Sequence, residues 1–279
     1  MQTKITIPNT DIEIHPLGLG TVNAGLAWNG KDADRIFDAF LDMGGSLIDT
    51  AHVYSDWVKP ERARSERVIG EWLERSGKRN RIVLATKGGH PDMTVPNPDT
   101  HISRMKKADM EADLDSSLKQ LCTDYIDIYF YHRDDESQPA AELIEVMEEF
   151  RRKGKIRYYG CSNWTTSRMK AADQYCTEKG YRGFAANQAL LNLGYKYMNP
   201  LDDDTLVYAD EEMQQYHRGH TENLLMPYMG VCSGFFHKYL GKGPDAVKDS
   251  PYYTDGNLKM AERVRALCDK YNATVSQVV

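Results

Sequence analysis

A chain of 279 residues, 41% hydrophobic and 27% charged, is long enough to bury a core without disulfides, a structural metal or a partner. Its formal net charge of −6 argues against nucleic acid or an anionic membrane as the main partner, since either would select a basic face. A small molecule is the ligand class that this composition leaves. No apolar run approaches the roughly 18 residues of a membrane span, and the opening "MQTKITIPNT" lacks the apolar core of a signal peptide. A cytoplasmic protein is therefore expected. Cys122, Cys161, Cys176, Cys232 and Cys268 form an odd set without a C-x-x-C pair, which suits reduced, structural thiols better than a disulfide frame or a zinc site.

In chain order, residues 4–20 read as a short hairpin, and β–α repetition follows. Strand-like runs at 45–50, 81–87, 125–132 and 156–163 each precede a helix-like run, at 65–77, 103–121, 140–154 and 166–180. The strands are short and rich in β-branched or aromatic residues. The helices carry apolar side chains at three- and four-residue spacing, as Leu114, Leu118 and Leu121 do. Ser65, Ser103 and Thr165 are candidate N-caps, and Gly154 and Gly180 candidate C-terminal stops. After the strand-like 184–191, residues 193–213 form a long polar and aromatic insert, expected to be a lid or a surface loop. No linker divides the chain, so residues 1–279 are read as one domain.

Such repetition permits a doubly wound sheet or an eight-stranded barrel. Gly18, Gly20 and Gly25 miss the G-x-G-x-x-G spacing of a dinucleotide-binding turn, which disfavours the former. The polar residues instead recur where strands end, at Asp49, Lys87, His132 and then Ser162 with Asn163. In a barrel those ends share one rim, where barrel active sites lie. There Asp49 and Tyr54, five residues apart, would face Lys87 and His132. An aspartate holds an ammonium in place, and the ammonium should pull a nearby phenol's pKa down from about 10. That phenol, with a histidine aimed at the same oxygen, can protonate the alkoxide that forms when a carbonyl accepts hydride. No side chain supplies hydride, so a cofactor is implied. Scattered histidines without an H-x-H pair argue against a metal hydrolase, and no metal site is expected.

These motifs, "DTAHVY", "ATKGG", "YHRDD", "GCSNW" and "ANQ", resemble those of the aldo-keto reductase family across nearly the whole chain. The resemblance implies a (β/α)8 TIM barrel with an N-terminal β-hairpin and a catalytic tetrad of Asp49, Tyr54, Lys87 and His132. It implies reduction of a small carbonyl substrate with NADP(H), or NAD(H), and Ser162, Asn163 and Gln188 holding the nicotinamide carboxamide. Tyr228 would stack on the nicotinamide, Gly20 and Thr21 would let backbone approach it, and Asp49 would lie beside it. A reductase-like subunit that binds nicotinamide without turnover is the rival reading.

The sequence also departs from the family. Ser55 stands where relatives usually have glycine, and the loop lengthens before Ser65 and Glu66, so that Trp57 could cap the pocket. Arg133 and Asp134 beside His132, with Trp57 and Trp164, suggest a polar, sugar-like carbonyl; a mutual surface ion pair is the plainer role for Arg133 and Asp134. The closing "NATVSQVV" resembles the start of the helix before the family's last strand, so that strand and its helix are expected to be missing from these 279 residues.

Overall fold

The computed structural model describes residues 4–279. A two-stranded antiparallel hairpin, β1 (Ile5–Thr6) and β2 (Glu13–Ile14), opens the chain. Seven parallel strands follow: β3 (Leu19–Gly20), β4 (Leu47–Asp49), β5 (Val83–Gly88), β6 (Ile126–Tyr131), β7 (Ile156–Ser162), β8 (Ala186–Gln188) and β9 (Leu224–Leu225). Each pairs with the next in chain order, the arrangement of a TIM barrel's strands, and among the described residues no strand joins β9 to β3.

Helices α1 (Gly30–Asp42), α2 (Arg64–Ser76), α3 (Lys107–Gln120), α4 (Ala140–Arg152), α5 (Thr166–Lys179) and α6 (Glu211–Gly219) connect successive strands. Beyond β9 come α7 (Phe235–Lys242), α8 (Asp255–Tyr271) and α9 (Val275–Val278), which pack around Phe235, Phe236, Tyr252 and Val264. Thr165 caps α5 as expected, its hydroxyl accepting from the Arg168 N–H. Ser65 and Ser103 do not cap. Ser65 lies inside α2, where its hydroxyl ties Thr21 to Thr50, and α3 starts only at Lys107. Gly154 and Gly180 follow their helices at φ +73° and +69°, a left-handed geometry that costs glycine little.

The twofold period of the strands sorts the core. Ile128 and Phe130 of β6 join Leu47, Ala85 and Ala186 in an inner cluster that the hairpin's Ile7, Ile12 and Ile14 enter. Tyr129 and Tyr131, on the opposite face, pack with helix residues such as Leu114, Ile144 and Met147. Inside the sheet Gly160 has no room for a side chain. A β-carbon there would lie 2.4 Å from the Phe130 ring and 2.5 Å from the Ala186 carbonyl oxygen. Gly160→Ala should therefore destabilise by about 1–3 kcal/mol in chemical denaturation, the usual cost of overpacking. Gly219→Ala, where a β-carbon meets nothing within 4 Å, should be near neutral.

Candidate active site

Parallel pairing puts the C-terminal ends of all seven strands on one edge, and the polar residues singled out by sequence stand there. Asp49 ends β4, Lys87 is the penultimate residue of β5, His132 follows β6, Ser162 ends β7 and Gln188 ends β8. Register explains their closeness: Gly20 lies beside Asp49, Asp49 beside Ala85, and Ser162 beside Gln188.

Lys87, 1% exposed, spends all three ammonium hydrogens within the protein. It donates to Asp49 Oδ2 at 2.7 Å, to the Thr50 carbonyl at 2.7 Å and to the Tyr54 hydroxyl at 3.2 Å. The other Asp49 oxygen accepts from Gln188 Nε2 at 2.7 Å, so one connected line runs from Gln188 to the phenol. Burial works to lower the Lys87 pKa, but Asp49 and then Tyr54 outweigh it and the value is raised. Tyr54 corrects the expectation of a phenol brought below its ordinary range. Lys87 does pull its pKa down, yet burial is the larger effect and the net direction is upward. The group is thus held as a protonated phenol.

Ser55 explains how the loop dispenses with glycine after the tyrosine. Its φ of +74° is left-handed, and its hydroxyl bonds the carbonyls of Val22 and Ala24 at 3.0 and 3.2 Å. Those bonds offset the strain and fix the turn that presents Tyr54.

The Tyr54 and His132 rings meet edge to face with centroids 5.8 Å apart. Burial first, then His90, Arg133 and Lys87, push the His132 pKa well below the ordinary histidine value, leaving a neutral imidazole. Its Nδ1 is buried with no partner among the described residues. Sequence reading missed His90. Its ring lies 4.7 Å from that of His132, and the only signal was its place three residues after Lys87 in "KGGH".

The expected cofactor contacts differ in availability. Gln188 Oε1 and the Ser162 hydroxyl hydrogen have no protein partner among the described residues. Asn163, in contrast, is saturated: Nδ2 donates to the His132 carbonyl and Ser162 Oγ, while Oδ1 accepts from the Val207 N–H and, at 2.7 Å, from the Tyr228 hydroxyl. Asn163 can serve a ligand only by giving up one of these, and rotation of Tyr228 would release the last. Thr21 turns its hydroxyl to the Asp49 carbonyl and Ser65, whereas Gly20 keeps open space above its Cα. A nicotinamide carboxamide, which both donates and accepts, is compatible with the free Gln188 oxygen and Ser162 hydroxyl.

The expected substrate residues separate. Trp164 is 0% exposed, stacked near Tyr131 with its indole N–H on the Arg133 carbonyl, so it is a packing residue with no surface to offer. Trp57 is 44% exposed. Arg133 and Asp134 do not pair with each other: Arg133 bonds Asp203 and Thr205 of the long insert, and Asp134 holds Arg168 at 2.8 and 2.9 Å. The insert is thereby fastened over the rim. Arg133, Asp134, Asn163 and Thr205 help wall a cavity of about 430 Å³, which Asp49, Tyr54, Lys87 and His132 do not line. Among the described residues no group of three or more histidines, cysteines and carboxylates could hold a metal ion, and no helix is long and apolar enough to cross a membrane.

A parallel barrel sheet with aspartate, lysine, tyrosine and histidine gathered at its carboxyl rim defines a class, and comparison with known proteins agrees. The model of the Aldo/keto reductase family matches residues 16–279, and the chain belongs to that family. Norsolorinic acid reductase B of Dothistroma septosporum is 30% identical over 260 residues, covering 90% of this chain and 62% of that protein. Aldo-keto reductase YhdN of Bacillus subtilis is 36% identical over 168 residues, covering 59% of this chain and 48% of its own. The solved glycerol dehydrogenase AKR11B4 of Gluconobacter oxydans shares the fold, with a TM-score of 0.74 at 24% identity over 98% of this chain and 80% of that one. The chain thus spans about half to three fifths of the length of these two curated relatives.

Proposed function

We propose that residues 1–279 form one reductase domain of a cytoplasmic oxidoreductase that reduces an aldehyde or ketone to an alcohol. The observation that supports this reading is the hydrogen-bonded line from Gln188 through Asp49 and Lys87 to Tyr54, beside a neutral His132. NADP(H), or NAD(H), when bound supplies the hydride. Ser162, Gln188 and, once released by Tyr228, Asn163 are the residues to hold its carboxamide, with Tyr228 against the ring and Gly20 giving room for close approach.

The chain's own task is the proton and the charge. A substrate carbonyl oxygen within reach of the Tyr54 hydroxyl gains negative charge as its carbon is reduced, and Tyr54 gives that oxygen its proton. Lys87, raised in pKa and fully charged, stabilises the phenolate left behind. Neutral His132 donates a hydrogen bond to the same oxygen without competing for the proton. Asp49, fixed by Gln188, keeps the ammonium aimed at the phenol. The charged and hydroxyl side chains of Arg133, Asp134 and Thr205 in the cavity wall, the first two next to His132 in the chain, favour a polar substrate.

Absorbance of the reduced nicotinamide, followed with a panel of aldehydes, ketones and sugar-derived carbonyls, tests this. Repeated turnover is expected, faster on polar carbonyls than on apolar aldehydes of the same size. Tight nucleotide binding with at most one slow turnover would replace the enzyme by a binding subunit, and faster reduction of the apolar compounds would remove the polar preference.

A further inference from the structure

The turn after β5 is built with more care than a connecting loop requires. Gly89 adopts φ +78°, and a β-carbon there would lie 2.8 Å from Met110 Sδ, so only glycine fits. Its N–H donates to Asp113 Oδ2 at 2.9 Å, and Asp113 is gripped by Arg104 at 2.6 and 3.1 Å. Arg104 also donates to the His90 carbonyl at 3.2 Å. The backbone on either side of His90 is thus pinned to α3 and its approach. What this fixes is the imidazole, set 4.7 Å from His132 at 60°.

The ring's protonation follows from its partners. Nδ1 lies 2.9 Å from the Pro91 carbonyl oxygen, which can only accept, so Nδ1 carries the hydrogen. Burial first, then Arg133, lowers the His90 pKa to about 4, so the ring is neutral and Nε2 is a bare acceptor. Nε2 receives nothing from the protein among the described residues, and unlike His132 Nδ1 it is not a sealed, unpartnered atom. The flanking residues Gly89 and Pro91 wall the 430 Å³ cavity, while the His90 ring itself turns away from that wall to His132.

We propose that His90 is a specificity-determining residue that accepts a hydrogen bond from a hydroxyl on the carbon next to the substrate carbonyl, making α-hydroxycarbonyl compounds the preferred class. This rests on the reductase reading of the same site. If His132 addresses the carbonyl oxygen, the ring packed against it is placed to meet the adjacent oxygen. A neutral acceptor rewards a hydroxyl and offers nothing to a methyl group in its place, which would also leave the acceptor dry and unpaired.

Hydroxyacetone and butanone, which differ by that exchange, are the probes. The wild type should favour hydroxyacetone in kcat/KM by about tenfold, the worth of one such bond. His90→Phe, which keeps an aromatic edge against His132, should abolish the preference by lowering hydroxyacetone alone, and His90→Gln, whose amide oxygen can accept, should restore part of it. Equal losses on both ketones, or an unchanged ratio, would overturn the proposal in favour of mere packing. A second readout needs neither turnover nor a cofactor. In protein labelled with ¹⁵N-histidine, hydroxyacetone but not butanone should shift the His90 Nε2 resonance, identified by its absence in His90→Phe. No shift with hydroxyacetone would overturn the proposal even if reduction proceeds. A shift without any turnover of either ketone would keep His90 as the acceptor for the hydroxyl and sink the reductase reading instead.

Discussion

Tyr54→Phe should fold as the wild type does, bind nicotinamide nucleotide with nearly unchanged affinity and lose almost all reductase activity. The hydroxyl accepts one hydrogen bond, from Lys87 Nζ at 3.2 Å, and Lys87 retains Asp49 and the Thr50 carbonyl when it is gone. None of the proposed nucleotide contacts at Ser162, Asn163, Gln188 and Tyr228 uses it. General acid catalysis contributes ~10²–10⁴-fold, so the rate at saturating nucleotide should drop by that factor, about 3–5 kcal/mol of barrier. The measurements are single-turnover reduction, nucleotide binding followed by fluorescence, and a thermal melt. Wild-type-like reduction by the phenylalanine variant would assign the proton to another donor, with His132 or a water as the remaining sources. The spacing of Tyr54 from Asp49 would then need a purely structural account.

The rim was legible because it obeys a rule that acts at short range. A strand of period two ends where its apolar run ends, and in a parallel sheet all such ends meet. Asp49, Lys87 and His132 each close an apolar run, so their convergence follows from "SLIDT", "IVLATK" and "IDIYFYH". What could not be read were quantities set by the third dimension. The Lys87 charge argued for a lowered Tyr54 pKa, but the balance between charge and burial depends on how tightly the loop closes, and burial prevails. Trp164 is, from the sequence alone, a candidate stacking surface for the substrate. The left-handed Asn163, at φ +60°, turns the chain so that the indole points into the core instead.

Arg133 and Asp134 are adjacent in sequence, which makes a mutual ion pair the plain expectation. Neighbours at the end of a strand point in different directions, however, and each found a partner from a segment at least 34 residues away. His90 went unnoticed for the opposite reason. It follows two glycines in a polar stretch, a context that signals only a turn, and its importance arises from Asp113 on α3 and Arg104 in the segment before it. The first helix, α1, has Ala33, Phe37 and Leu41 at four-residue spacing, a pattern present in the sequence but overshadowed by the strand-end motifs around it.

Lys87→Met should cost both rate and stability, and the two can be separated. In the single variant Asp49 keeps a carboxylate in a largely enclosed site with only Gln188 to answer it. Removing one member of a buried ion pair typically costs about 3–5 kcal/mol, though Asp49, its side chain 19% exposed, can recover part of that from water. Reduction should also fall by roughly 10²–10⁴-fold, because the phenolate left after proton transfer has lost its cation. Adding Asp49→Asn to Lys87→Met removes the stranded charge while leaving an amide oxygen for Gln188 Nε2. The double variant should therefore recover most of the lost stability in chemical denaturation and none of the lost rate. Recovery of both would make the ion pair a structural brace and leave Tyr54 to work without it. Recovery of neither would mean that the lysine's packing and its bond to the Thr50 carbonyl, more than its charge, hold the end of β4 in place. The expected split, stability regained and chemistry still lost, is the result that assigns the lysine's charge to the phenol.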